Sequence, residues 1–405
     1  MLDTVRQELN NFRSPLYRNS IYISLTSLVT AVAGFLFWSV AARLYPSSQV
    51  GVASALVSAI NLTFTVSMLG LNFALIRFYP QYKERAVGSS LVLAVTASFF
   101  VSLVYGLIMG GSESFRGVFS AEFLAIFVTF SMVGTAYNIL STYAIAKRKA
   151  EHSFMQGLLF ALRFVFLFFL VPLGVFGIVG SFGFGLTLGL IYGLIFIDDI
   201  KLSLDVEYLK ESFRFSLGNY IASMANVAPN YLMPTLVLTM LGKEEAAYFY
   251  IAFAIGNLIL FIPNAINTSF FVEGSHGLKD MKRTLKKALA FSYLYLAVAT
   301  VFVWLFGGYV LELFRPEYVK GFGLLKLMVL GGFFVVPVNF SITILNIQKR
   351  VREVVGINLL KAALFLGLSY LLIPRFGIEG VGWGWIGAYS ISVFMLFVRF
   401  FRKVF

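Results

Sequence analysis

Residues 41–78 read AARLYPSSQVGVASALVSAINLTFTVSMLGLNFALIRF. An apolar run ends at Leu44, a short polar turn follows, and a second long apolar run closes on Arg77. That is the pattern of two membrane helices joined at one face of a bilayer. A faint copy follows at 237–274, VLTMLGKEEAAYFYIAFAIGNLILFIPNAINTSFFVEG. At an offset of 196, Asn61 falls on Asn257 and Leu62 on Leu258. The later parts of the two halves agree better. Gly177-Ile178-Val179-Gly180 pairs with Gly377-Ile378-Glu379-Gly380, each soon after a proline, Pro172 or Pro374.

The composition extends this reading to the whole chain. Hydrophobic residues make up 59% of 405 and charged residues 13%, which places the chain among all-α polytopic membrane proteins. A window of about 20 residues yields twelve spans: 20–42, 50–76, 88–110, 119–145, 154–172, 177–197, 213–241, 246–272, 288–308, 322–347, 354–373 and 379–398. Helices are required because an unpaired backbone group in hydrocarbon costs several kcal/mol. The first span is too long for a signal-peptide core and is read as retained. The expected organisation is an N-terminal segment (1–19), a six-helix lobe (20–197), a connector (198–212), a second six-helix lobe (213–398) and a tail (399–405). Leu2, Val5, Leu9 and Phe12 in the first segment fit a short interfacial helix.

The net charge of +13 is asymmetric. With the N-terminus in the cytoplasm, the cytoplasmic segments hold 23 of the 32 lysines and arginines, the outer loops seven, and the spans two. This follows the positive-inside rule, puts both termini in the cytoplasm and leaves no basic face for nucleic acid. Trp38, Trp304, Trp383 and Trp385 all fall near outer span ends, where indoles favour the interface. There is no cysteine, and His152 and His276 both lie in charged loops, so no cofactor or metal is expected. Six spans in each half put any symmetry axis along the membrane normal, as in transporters built from parallel repeats.

Candidate binding residues stand out by their cost. Arg163 has about nine apolar residues on either side, and snorkelling would have to cover roughly 13 Å of helix. It should face the bundle interior or a wet cavity. Lys361 lies within the eleventh span, eight residues past Glu353, and Arg77 lies at the cytoplasmic end of the second. Arg77 fits membrane anchoring as well as substrate binding. Asn226, Pro229, Asn230 and Pro234 share the seventh span; Asn257 and Pro263 share the eighth, and Pro337 and Asn339 the tenth. Amides at kinks suit a sugar-binding cavity, and equally suit interhelical hydrogen bonds. All nineteen acidic residues lie in loops or near span ends. Exporters of cationic drugs generally need a buried anion, whereas internal cations suit an anionic substrate. GWGWIG at 382–387 matches a dinucleotide fingerprint in form only, since no strand precedes it.

ARLYPSSQVG at 42–51 and GLNFALIRF at 70–78 resemble the first-hairpin pattern of Wzx-type polysaccharide-biosynthesis flippases. These belong to the multidrug/oligosaccharidyl-lipid/polysaccharide (MOP) superfamily, which also holds the MATE transporters. The matching positions are Ala42, Arg43, Leu44, Gly51, Gly70, Leu71, Ala74, Leu75 and Arg77. Leu241, Gly242, Tyr248 and Pro263 resemble the eighth-span pattern, with Ala247 where glycine is usual, and GIEGVGWG at 377–384 resembles the last hairpin. The resemblance implies a MATE-like pair of lobes around a central cavity. It also implies alternating-access transport of a polyprenyl-pyrophosphate-linked oligosaccharide to the outer leaflet of the cell membrane. The expected partners are that lipid-linked anionic oligosaccharide, membrane lipid, and glycosyltransferases and a polymerase of glycan synthesis, with the protein a monomer. The rival readings are a cation or drug antiporter, a membrane glycosyltransferase or ligase, and a non-transporting scaffold. The outer-loop carboxylates Glu113, Glu244, Glu245, Glu312, Glu317 and Glu379 form no evident catalytic set.

Overall fold

In a computed structural model the chain is almost entirely helical, and residues 15–116, 118–275 and 280–397 are described. The expected interfacial helix falls mainly on 1–14 and the tail on 399–405. Both lie outside the described residues, as does His276. Ten helices among the described residues are long and apolar enough to cross a membrane. Their outward faces are apolar. On the helix Met281–Glu312, Phe291, Leu294, Val298, Val301, Phe302, Leu305 and Tyr309 are all exposed and recur at helical spacing. Such a stripe needs a bilayer against it.

The chain divides into two compact units. The first holds residues up to Tyr45 and Ala59–Tyr220, and the second holds Pro46–Ser58 and everything from Ile221. The helices of the first unit are α1 (Pro15–Leu44), the later part of α2 (Ser47–Ser67), α3 (Leu71–Tyr82), α4 (Glu84–Gly110), α5 (Ala121–Ala146), α6 (Ala150–Ala161), α7 (Arg163–Phe169), α8 (Val175–Phe196) and the start of α9 (Val206–Leu241). α1 packs on α6, α6 and α5 on α8, and α4 on α5. Leu71, Leu75, Tyr82, Leu91, Ile139, Tyr143, Ile197 and Tyr208 form a continuous core. The second unit holds the start of α2, the rest of α9, α10 (Lys243–Ser275), α11 (Met281–Glu312), α12 (Phe322–Ile347), α13 (Val351–Phe376) and α14 (Glu379–Leu396). Here α13 and α14 form a tight hairpin and α12 packs on α10, α11 and α14.

Two expected spans are broken. The span expected over 50–76 stops at Ser67 and resumes at Leu71, with Leu69 at φ 49° and Gly70 at φ 79°. Gly70 suits this left-handed turn, and a side chain there would also crowd Ser216 and Tyr220. The Tyr220 hydroxyl donates to the Val66 carbonyl at the break, 2.8 Å away. The span expected over 154–172 breaks at Leu162, so that Arg163 opens α7. A different close approach explains Gly51. A Cβ there would overlap the Lys243 carbonyl and stand 3.0 Å from the Ala247 nitrogen, all within the second unit.

The halves share turns rather than sequence. Between α5 and α6, Arg148 has φ 59°, Arg148 N–H donates to Ile145 O and Lys149 N–H to Ala144 O. Between α12 and α13, Lys349 has φ 59°, Lys349 N–H donates to Asn346 O and Arg350 N–H to Leu345 O. Both are the same helix-ending turn. The closing hairpins open on Gly174 (φ 56°) and Gly377 (φ 58°), followed by Gly177 N–H to Gly174 O and Gly380 N–H to Gly377 O. Gly177 therefore matches Gly380, not Gly377. The pairing read from sequence is displaced by three residues, because the shared feature is a backbone conformation and the sequence match is to glycines that recur for packing.

Two of the four tryptophans also differ from expectation. Trp304 and Trp383 are exposed, whereas Trp38 and Trp385 are buried against aromatic rings, Trp38 on Phe37 and Trp385 on Phe365 and Tyr389. Position near a span end does not say which way a helix faces.

The segment 198–205 is pinned along the first unit. The Lys147 ammonium pairs with Asp199 at 2.9 Å and donates to the Asp198 carbonyl, Lys149 pairs with Asp198, and Asp205 N–H donates to the Ser89 hydroxyl. The rest of the expected connector is helix, since α9 begins at Val206.

Gly51→Ala should lower stability by about 1–3 kcal/mol, seen as a lower melting temperature of the detergent-purified protein, whereas Ser48→Ala should not. Lys147→Ala should expose 198–205 to limited proteolysis. Lys147 holds the Asp199 carboxyl below its usual range, so this pairing contributes fully above about pH 4 and is lost as pH falls through the lowered value. Cleavage of the wild-type strap should therefore not change between pH 5 and 8.

Candidate functional site

Each half contains one buried cation. Among the described residues, the charged residues that are buried as a whole are Arg163 and Lys361, each 4% exposed, and no carboxylate joins them.

Arg163 lies inside the first unit at the break between α6 and α7. Its Nη1 donates to the Phe160 carbonyl at 3.1 Å, and its guanidinium stacks over the Phe160 ring at 3.8 Å and the Phe37 ring at 5.5 Å. Glycines let the helices close around it: Gly185 on α8 faces its Cβ and Gly34 on α1 faces its guanidinium. Cation–π contact and a backbone acceptor partly replace its hydration.

Lys361 lies inside the second unit on α13. Its ammonium donates to Asn226 Oδ1 on α9 at 2.6 Å and sits over the Tyr389 ring at 5.3 Å. One turn before it on α13, Asn358 donates from Nδ2 to the Ala222 carbonyl at 3.3 Å, itself one turn before Asn226. The structure thus joins two of the candidates, Lys361 and Asn226, and adds Asn358 and Tyr389. Asn358 is legible in retrospect, since an amide three residues from a buried lysine shares its helix face.

Arg77 is exposed. With Phe73, Ile76, Pro80, Phe215 and Asn219 it lines a pocket of about 500 Å³ on the first unit. Pro80, inside α3, has no backbone N–H to give the Ile76 carbonyl one turn earlier. Arg77 and Asn219 are the polar groups among otherwise apolar lining residues. Asn219 is a further residue that sequence reasoning missed. It lies seven residues before Asn226 on the same helix, a spacing that returns to the same face.

The other amides serve their own helices or each other. Asn257 donates to the Phe253 carbonyl, Asn339 donates to Asn264 at 3.0 Å near the two prolines Pro263 and Pro337, and Asn230 is half-buried on α9.

These features define a multi-pass membrane protein with the fold of MOP-superfamily transporters. A solved structure of the lipid II flippase MurJ, in an inward closed conformation, superposes with a TM-score of 0.75 at 14% identity, covering 93% of this chain and 87% of that one. An inward-facing multidrug resistance MATE transporter gives 0.72 at 14% identity over 94% and 96%. A MOP-superfamily transporter from Pyrococcus furiosus gives 0.61 at 14% identity over 95% and 94%. These neighbours are transporters and not enzymes. No protein-family model matches the sequence, and no curated protein matches it by sequence.

Arg163→Ala should destabilise the purified protein by about 3 kcal/mol, by opening a cavity and removing a charged hydrogen bond to the Phe160 carbonyl. Arg163→Lys should fall between, since an ammonium keeps the charge and loses the stacked plane. Thermal unfolding monitored by tryptophan fluorescence measures both.

Proposed function

We propose that the protein is a flippase that carries a polyprenyl-pyrophosphate-linked oligosaccharide from the cytoplasmic to the outer leaflet of the cell membrane by alternating access. The observation that carries this reading is the sign of the buried charge: two cations and no carboxylate among the described residues. A charged, hydroxyl-rich headgroup pays a prohibitive desolvation cost in bare hydrocarbon, and a positive interior lowers that cost for an anion. For a cationic drug it raises it. The antiporter reading therefore has a structural neighbour in its favour and the interior electrostatics against it.

Within this reading Arg77 makes the first contact with the pyrophosphate. It is exposed, its pocket offers Asn219 as a second polar group, and the exposed Ile76 and Phe215 suit the first isoprene units. Arg163 and Lys361 are engaged within their own units, and act by their potential. The Lys/Arg-rich side is the cytoplasmic one, where glycosyltransferases build such headgroups, and the protein hands its cargo to a polymerase on the other side.

Reconstituted into liposomes, the protein should accelerate access of a membrane-impermeant reductant to a polyprenyl-pyrophosphate sugar carrying a fluorophore on the sugar. Arg77→Ala should slow that rate about 10-fold, the equivalent of a lost hydrogen bond to a charged group. A rate equal to that of protein-free vesicles, or an Arg77→Ala variant as fast as wild type, would defeat the proposal. Accelerated efflux of a lipophilic cation instead would favour the antiporter.

A further inference from the structure

α13 and α14 form a tight hairpin, yet a groove of about 390 Å³ stays open at its Lys/Arg-rich end. Gly356, Ile357 and Leu360 line it from α13, and Met395 and Leu396 from α14. Ser392 also lines it, but spends its hydroxyl on the Ala388 carbonyl at 2.7 Å. A Cβ on Gly356 would meet nothing within 4 Å, so this glycine leaves space where others admit a neighbour. Two charged residues stand at the mouth, Arg352 and Glu353. Glu353 is paired with Arg350. Arg352 is exposed and joins no ion pair among the described residues. Lys349, Arg350, Arg352 and Glu353 together leave the mouth at net +2.

We infer that this groove binds an anionic phospholipid, with its phosphate on Arg352 and one acyl chain along Gly356 and Leu360. Depth supports the assignment. Arg352 stands just outside the span expected over 354–373, at headgroup level, and Leu360 lies about 12 Å further along the helix, in the acyl region. Charge first and then apolar surface is the order of groups in a phospholipid, and basic pockets between membrane helices suit anionic headgroups. The net positive mouth favours an anionic lipid over a zwitterionic one. It disfavours the chain's own next residues, since 398–405 carry Arg399, Arg402 and Lys403 and no acidic residue. The site is independent of what the protein transports. Its failure and the failure of the flippase reading are read in different experiments, one on stability and the other on lipid movement.

The test is thermal unfolding of the full-length protein in detergent with added phosphatidylglycerol, phosphatidylcholine of the same chains, or glycerol 3-phosphate. Phosphatidylglycerol should raise the wild-type Tm about 4 °C above phosphatidylcholine, the scale for a ligand at roughly tenfold its Kd. Glycerol 3-phosphate, which has no chains, should not raise it. Arg352→Ala should lose the difference, and Arg352→Lys should keep about half of it. Gly356→Leu fills the groove without a clash and should also abolish it. Gly367→Leu should not, although Gly367 is equally open and lies eleven residues on along the same face of α13. Equal stabilisation by both lipids, or stabilisation by glycerol 3-phosphate, would overturn the proposal. So would a phosphatidylglycerol effect that survives in Arg352→Ala or Gly356→Leu. A lipid-free Tm that falls in Gly356→Leu and not in Gly367→Leu would overturn it by showing the groove filled by the chain itself. A polyprenyl pyrophosphate that removes the phosphatidylglycerol effect would overturn it by making the groove a cargo site. If Gly356→Leu does not fold, the two Arg352 variants decide.

Discussion

A backbone carbonyl freed inside a membrane helix has no water to turn to, and much of the detail in this protein follows from that constraint. The helices are interrupted at several places, and side chains there add donors to those of the backbone. Tyr220 donates to Val66 where α2 gives way to α3, and Arg163 donates to Phe160 where α6 gives way to α7. Tyr45 donates to Leu167 near the end of α7. Tyr293 reaches Phe333, the carbonyl one turn before Pro337, at 3.4 Å. The donors are three tyrosines and an arginine, whose rings and stems pack in apolar surroundings while their polar ends complete the ladder.

The same constraint orders the charges. An arginine in mid-span would be a burden if it only filled space. Here it closes a helix break, stacks on two rings and lets two glycines approach. Lys361 likewise ties α13 to α9 through an amide. Carboxylates stay at the ends of helices and in loops, where they pair with exposed cations such as Arg18, Arg85 and Arg116. Among the described residues the buried charge is therefore of one sign, and the proposed preference for an anionic cargo rests on it.

The repeat between the halves is preserved in backbone conformation. The turns at Arg148 and Lys349, and at Gly174 and Gly377, share φ values and hydrogen bonds while their neighbouring residues differ. A turn of this kind constrains a few dihedral angles and tolerates most side chains, so sequence matching found the recurring glycines and placed them three residues out of register. The division of the chain is similar. The unit boundary falls inside α9 at Tyr220–Ile221 and inside α2 at Ser58–Ala59, places where the sequence shows unbroken hydrophobic helix. The charged segment after Ile197, which looks like a free connector, is held down by Lys147 and Ser89.

The all-helical class, the membrane setting and the presence of two costly cations were decided by the sequence alone. Each depends on the transfer free energy of side chains, and that is a local property summed along the chain. Which way a residue faces depends on rotation about the helix axis and on what packs against it. Only the tertiary structure could show that Trp38 and Trp385 are buried while Trp304 and Trp383 are exposed, that Lys361 is met by Asn226 and Tyr389, or that Arg77 shares a pocket with Asn219. The opening stretch holds both kinds of information. Its hydrophobicity announced two helices, while the physical reason for Gly51 and Gly70 came only with the Lys243 carbonyl and the Tyr220 side chain found against them.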